Sequence, residues 1–308
     1  MRALASPASL KGVLSAAEAA AALAEGLRGA GAEAVELPVA DGGEGTAEVL
    51  WLAGGGEWRE ADVRDAFGAS RRGRWLVLPD GSAVVEAAAA VPLDEARLRP
   101  LTASSSGFGE LVAAALAAGA TRLLLALGGT ATMDAGAGFL EVVRELPVPT
   151  QVACDVTVSL LEAPRLFGPQ KGAGPEEIAE LERRFAGRRE LASFRDTPGG
   201  GAAGGLGAAL AALGAELVPG APLVLDAIGF DATGFDLVVT GEGRVDRTTA
   251  HGKAPGEVVR RSAGTRCIVF GGVVESEVPG AETIALSGDP GRARDDLVAL
   301  GRVLLVAD

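Results

Sequence analysis

Gly109-Glu-Leu-Val-Ala-Ala-Ala-Leu-Ala-Ala118, then Gly119-Ala-Thr-Arg122, then Leu123-Leu-Leu-Ala-Leu127 and Gly128-Gly-Thr130, is the stretch that decides the fold class. The apolar run from Leu111 to Leu127 is long, but Gly119 and the pair Thr121-Arg122 break it in the middle. It therefore reads as helix, turn and buried strand, and not as a membrane span. The same alternation runs outward in both directions. Met1–Ala5 reads as a strand, and Ser15–Arg28 as a helix with Ser15 as N-cap and Glu18 closing a capping box. Ala34–Val39 is a strand, and Trp75–Leu78 with Ala83–Ala87 is a hairpin across Pro79-Asp80-Gly81. Beyond Leu127 come strands at Gln151–Ala153, Leu237–Thr240 and Cys267–Phe270. They are interleaved with helices at Pro175–Phe185, Leu206–Leu213, Gly256–Ser262 and near Asp295–Leu300, and Val303–Ala307 closes the chain. Alternation of this kind implies an α/β fold with largely parallel strands covered on both faces.

Composition narrows the class. The chain has 308 residues, 48% of them hydrophobic, which is ample for a packed core and excludes disorder. The net charge of -13 disfavours nucleic acid and anionic membranes as partners. Cys154 and Cys267 lie far apart inside apolar runs and read as buried thiols, and no signal h-region is visible, so the expectation is a soluble cytoplasmic protein. There is no Asn or Tyr, and there are only two each of Gln, Cys and Met, which is a thermophile's habit. A GC-rich genome explains the Ala, Gly, Leu and Arg excess equally well.

Of 28 basic residues only three are lysines, Lys11, Lys171 and Lys253, and each adjoins a glycine. A compact ammonium beside bare backbone suits phosphate oxygens, whereas Arg suits planar forks. Glycine-rich loops follow strand ends: Asp41-Gly42-Gly43-Glu44-Gly45-Thr46, Gly128-Gly129-Thr130, and Gly241-Glu242-Gly243. Ligands of open α/β sheets bind at the carboxyl ends of strands, so these loops point to one composite site. No P-loop signature occurs. Gly199, Gly201 and Gly204 match a dinucleotide fingerprint in form, but Asp196-Thr-Pro stands where a strand is required. The approach through Gly204 and Gly205 to a helix can still present amides to a phosphate. The densest polar stretch, Thr240 to Lys253, holds Glu242, Arg244, Asp246, the sole histidine His251, and Lys253. Glu242 or Asp246 suits Mg²⁺ binding or base catalysis, and Arg244 and Lys253 suit phosphate neutralisation. Asp41, Glu44, Asp134 and Asp155 complete a set of hard oxygen donors near strand ends.

Five motifs then follow one another in order: Asp41-Gly-Gly-Glu-Gly-Thr46, Gly128-Gly-Thr-Ala-Thr132, Phe167-Gly-Pro-Gln-Lys171-Gly-Ala173, Gly201-Ala-Ala-Gly-Gly-Leu-Gly207, and Thr240-Gly-Glu-Gly-Arg-Val-Asp246 with His251-Gly-Lys253. From about Lys11 to Gly272 the chain resembles the bacterial class I glycerate kinases, the glycerate 2-kinase family. The resemblance implies ATP-dependent phosphorylation of D-glycerate to 2-phosphoglycerate with Mg²⁺. It also implies a Rossmann-like α/β domain formed by both chain ends, 1–53 and 228–308, with a second α/β domain, 54–227, inserted. The site is then the cleft between the two. The chain reads Pro7-Ala-Ser-Leu-Lys11-Gly-Val13 where family members usually have Pro-Asp-Ser-Phe-Lys-Gly-Ser.

On this reading Asp41, Asp155, Glu242, Asp246 and Lys253 are the catalytic candidates, with Asp155 and Glu242 as Mg²⁺ ligands. Lys11, Gly42, Gly43, Thr46, Gly128, Gly129, Thr130, Lys171, Gly204, Gly205, Arg244 and His251 bind substrate or phosphate. Partners are glycerate and ATP, with a homodimer allowed for. Two alternatives stand beside this: a kinase of another small hydroxy acid, and a weakened homologue that binds a metabolite in a regulatory role.

Overall fold

Alternation within each strand builds both sheets. The computed structural model describes residues 1–250 and 252–305. Its strands in chain order are β1 (Arg2–Ala5), β2 (Glu33–Glu36), β3 (Glu57–Arg64), β4 (Ser70–Val77), β5 (Ser82–Glu86), β6 (Arg122–Ala126), β7 (Thr150–Cys154), β8 (Glu216–Pro219), β9 (Leu237–Val245), β10 (Arg266–Val274) and β11 (Glu282–Ala285). One sheet has the order β11-β10-β9-β1-β2 and is parallel throughout. The other runs β3-β4-β5-β6-β7-β8, with an antiparallel β3-β4-β5 meander and parallel pairs from β5 onward.

The chain divides into two compact units. The first comprises Met1–Asp41, Glu48–Ala53 and the segment from Ala221 to the C-terminus; the second comprises Gly42–Ala47 and Gly54–Gly220. In the first unit, Ala3, Ala5, Leu237, Val239, Ile268 and Phe270 face one way. They pack with the helices Ala16–Gly29 and Ala293–Val303. Their neighbours Leu4, Val238, Cys267 and Val269 face the other way, against the helices Gly220–Ala227 and Ala254–Arg261. With both faces buried at residues 3–5, 237–239 and 267–270, these segments read as continuous apolar runs. The capping box at Ser15 and Glu18 forms as its spacing requires. Helices Ala16–Gly29 and Ala293–Val303 cross at glycines: a Cβ on Gly26 would stand 2.1 Å from the Val298 carbonyl oxygen, and one on Gly301 2.6 Å from that of Leu23.

In the second unit the helix Ala202–Ala212 is apolar all round because it is enclosed on both sides. Leu206 and Leu210 pack with Phe108, Leu111 and Phe139, while Ala208 and Ala209 pack with Leu160, Leu181 and Phe185. Both cysteines are buried free thiols, and no helix of the described residues is long and apolar enough to cross a membrane.

Several element boundaries differ from the sequence reading. The strand expected to stop at Thr240 continues through Gly241-Glu242-Gly243 to Val245, paired with β10. Glycine permits this: a Cβ on Gly241 would lie 2.2 Å from the Phe270 carbonyl oxygen. Glu242 and Arg244 therefore stand on a strand and not in a loop. β3 was not expected because its charged positions face solvent on an edge and give no apolar period. The helix read from Leu206 begins at Ala202, interrupted by left-handed backbone at Ala203, Gly204 and Gly205. The closing strand expected over Val303–Ala307 begins on the last helix residue, and residues 306–308 lie outside the described residues.

Candidate functional site

The first unit gathers charge around β9. Strand pairing fixes Glu242 opposite Gly271 of β10, and its side chain is only 15% exposed. The hydroxyl of Thr249 donates to Glu242 Oε1 at 2.7 Å. Lys253 Nζ donates to both carboxylate oxygens, at 3.2 Å to Oε2 and 3.4 Å to Oε1, and lies 3.8 Å from Asp246 Oδ1. Lys253 is the N-cap residue of the helix Ala254–Arg261, with Pro255 in its first turn. The ammonium is thus held by two carboxylates at a point where the backbone direction is set by the helix start.

These two carboxylates differ. Burial pushes Glu242 above the usual carboxylate range, with the negative charge of Asp41 adding to it; the Thr249 hydroxyl and the Lys253 ammonium oppose this shift. Asp246 goes the other way, held low chiefly by the Thr248 hydroxyl, with the Thr248 amide at 2.7 Å and Lys253 assisting. Two carboxylates that share one ammonium are thus shifted in opposite directions. Lys11 is brought near this group through the backbone, since Gly243 lies against Leu10 and the Lys11 amide. Arg244 is not: it is exposed and its guanidinium pairs with Glu275. His251 lies outside the described residues.

The second unit gathers its candidates at the carboxyl ends of β5, β6 and β7. A Cβ on Gly42, whose φ is +90°, would meet Ala153 at 2.6 Å, and one on Gly128 would meet the Gly43 Cα at 2.7 Å. Only glycines allow the 42–46 loop to lie so close over these strand ends. Glu44 Oε2 stands beside Gly129, and Thr130 is buried, bridged to Pro92. Thr46 is fully buried at the start of the helix Thr46–Gly54. The next amide, that of Ala47, donates to Glu86 Oε1 at 2.7 Å. This helix start is capped by the protein's own carboxylate.

Lys171 is 4% exposed, and its Nζ donates to the Thr132 carbonyl at 2.8 Å. Burial pulls its pKa down to about 8, opposed by the charges of Asp134 and Asp155. Asp134 is engaged by the amides of Ser105, Gly136 and Gly138 and by the Ser105 hydroxyl, at 2.8–3.1 Å, so it fixes the loop instead of offering open oxygens. Gly204 and Gly205 are part of this assembly. The Gly204 carbonyl accepts from the Ala135 amide, and the Gly205 amide bonds to the Gly201 carbonyl. Thr132 Oγ1 donates to the carbonyl of Ala203, itself at φ +51°.

Glu86 and Thr249 are not among the candidates read from the sequence. Glu86 is the only acid in the run Ser82–Glu86 and falls at a strand's carboxyl end, a signal that was available. Thr249 offered none, because a buried hydroxyl three residues after an acid reads as a turn former.

The residues matched by the sequence profile of the Glycerate kinase family are 3–144 and 141–287. The chain is 37% identical to a "Glycerate 2-kinase" of Escherichia coli (strain K12), covering 83% of this chain and 80% of that protein. It is 39% identical to a "Glycerate kinase" of Bacillus subtilis (strain 168), with the same coverage. A crystal structure of a proposed glycerate kinase 2 from Salmonella typhimurium LT2 superposes with a TM-score of 0.82 at 32% identity, covering 99% of this chain and 97% of that one. The chain belongs to the glycerate kinase family and is a kinase.

Proposed function

We propose that the protein transfers a phosphoryl group from ATP to a hydroxyl of D-glycerate, forming 2-phosphoglycerate, with Mg²⁺ bound. The observation that carries this reading is the Lys253 ammonium held between Glu242 and Asp246 beside a carboxylate whose basicity burial has raised. The names of the relatives support glycerate as the acceptor.

Phosphoryl transfer needs in-line positioning and neutralisation of charge, and little covalent chemistry from the protein. Glu242 takes the proton of the attacking hydroxyl as the new oxygen–phosphorus bond forms and the bond between the γ-phosphorus and its bridging oxygen breaks, releasing ADP. Lys253 neutralises charge on the transferring group, and Asp246, kept ionised by Thr248, holds that ammonium in place. Lys11 and Lys171 serve the carboxylate of glycerate and the phosphate oxygens of ATP.

Among the described residues no group of three or more His, Cys, Asp or Glu side chains surrounds one point. Mg²⁺ does not need such a cage; it takes one or two carboxylates together with phosphate oxygens and water. Asp41 and Asp155 have the hard oxygens for it. Glu242, already bonded to Thr249 and Lys253, fits the proton-accepting role better than that of a ligand. Mg²⁺ bound by such a carboxylate would neutralise charge on the phosphates.

Steady-state kinetics of Lys253 variants test the reading. Lys253→Ala is expected to lower kcat by roughly two orders of magnitude or more with the fold intact, because an ammonium on the transferring group binds most strongly as charge develops. Lys253→Arg is expected not to restore it, since the planar fork places its donors differently. A Lys253→Ala enzyme with wild-type turnover removes this cluster from the mechanism.

A further inference from the structure

Thr249 is fully buried, and its hydroxyl is fixed from both sides. Oγ1 accepts the amide hydrogen of Asp246 at 3.0 Å and donates its one proton to Glu242 Oε1 at 2.7 Å. The backbone is fixed too: the Thr249 amide bonds to the Asp246 carbonyl at 3.0 Å. A Cβ on Gly256 would lie 2.1 Å from the Thr249 carbonyl oxygen, so the first turn of the following helix presses directly on this residue. The hydroxyl has one proton to donate, and with the Asp246 amide on one of its lone pairs the acceptor in reach of that proton is Glu242 Oε1. Lys253 cannot set that direction, because its flexible ammonium bonds both carboxylate oxygens at longer range.

We propose that Thr249 is a positioning residue for phosphoryl transfer: its hydroxyl ties down Oε1 of Glu242 and so presents Oε2 to the reacting hydroxyl. This rests on the reading of Glu242 as the proton acceptor. Among the described residues, the charged groups acting on Glu242 are Lys253 and Asp41, with Asp246 reaching it through Lys253.

The test is the pH profile of kcat/KM, together with kcat and the KM for ATP, for Thr249→Val, Thr249→Ala and Thr249→Ser, with thermal unfolding of each and Glu242→Gln beside them. Val and Ala remove the proton, and Ala does so without setting a methyl against the carboxylate. Either is expected to lower kcat by ~10-fold or more, part of the ~10²–10⁴ that a positioned base contributes, with the KM for ATP nearly unchanged. Losing a donor to the ionised carboxylate is also expected to move the acid limb to higher pH. Ser is expected to restore both kcat and the limb. Folded Val or Ala variants with a wild-type limb overturn the proposal, as does a Ser variant that fails to restore it. If Glu242→Gln keeps normal turnover, the reading of Glu242 falls as well; if Gln abolishes turnover while Val and Ala leave the profile unchanged, Thr249 alone is overturned.

Discussion

Lys171 carries a buried charge whose effect on stability has a definite sign. In water a lysine titrates near 10.5, but in the folded chain burial lowers this to about 8. Between those values the unfolded chain holds a proton that the folded chain has released, so through this residue stability rises with pH from about 8 to about 10.5. Below about 8 both states are charged and its contribution is constant. The thiols of Cys154 and Cys267, pushed up to about 12, act in the opposite sense above pH 9. They are common to wild type and Lys171→Met, so the difference between the two proteins isolates the lysine. Denaturant unfolding is expected to show that difference shifting in favour of wild type across this window; a flat difference contradicts burial of the ammonium. The sequence marked Lys171 as one of three lysines, but not its burial. Phe167 to Ala173 is rich in turn formers and reads as exposed, and only the packing of Leu160, Phe185 and their neighbours around Ala173 encloses it.

The elements that were legible are those in which one periodicity decides everything. Ala16–Gly29 has its capping box and apolar stripe, and β6 is a continuous apolar run because parallel pairing buries both faces. Elements whose existence depends on a partner were not. β3 is charged and held by β4, and the extension of β9 through Gly241-Glu242-Gly243 depends on β10 lying against glycines. The same dependence yields a prediction for the crossing of Ala16–Gly29 with Ala293–Val303. Gly26→Ala puts a methyl into a main-chain carbonyl that cannot move aside, and is expected to cost on the order of 2–3 kcal/mol. Gly29→Ala, in the same helix, meets only the Arg302 side chain at 3.7 Å and is expected to be nearly neutral. Thermal unfolding of the two variants checks this, and equal midpoints contradict the crossing.

At the scale of the molecule, the α/β class and the family could both be read from ordered glycine-rich motifs at strand ends. The distinct environments of Glu242 and Asp246 could not, because they arise from burial and from Thr248 and Thr249. Absence of Asn and scarcity of Gln, Cys and Met predict a thermal midpoint well above the ~45–65 °C of mesophilic domains. A midpoint inside that range leaves genome composition as the explanation. ADP release by the purified protein with ATP and Mg²⁺, over a panel of small hydroxy acids, tests the proposed reaction most directly. The expected result is turnover with D-glycerate well above every other acceptor, with 2-phosphoglycerate as the product. No turnover with D-glycerate, or a clear preference for another hydroxy acid, contradicts it.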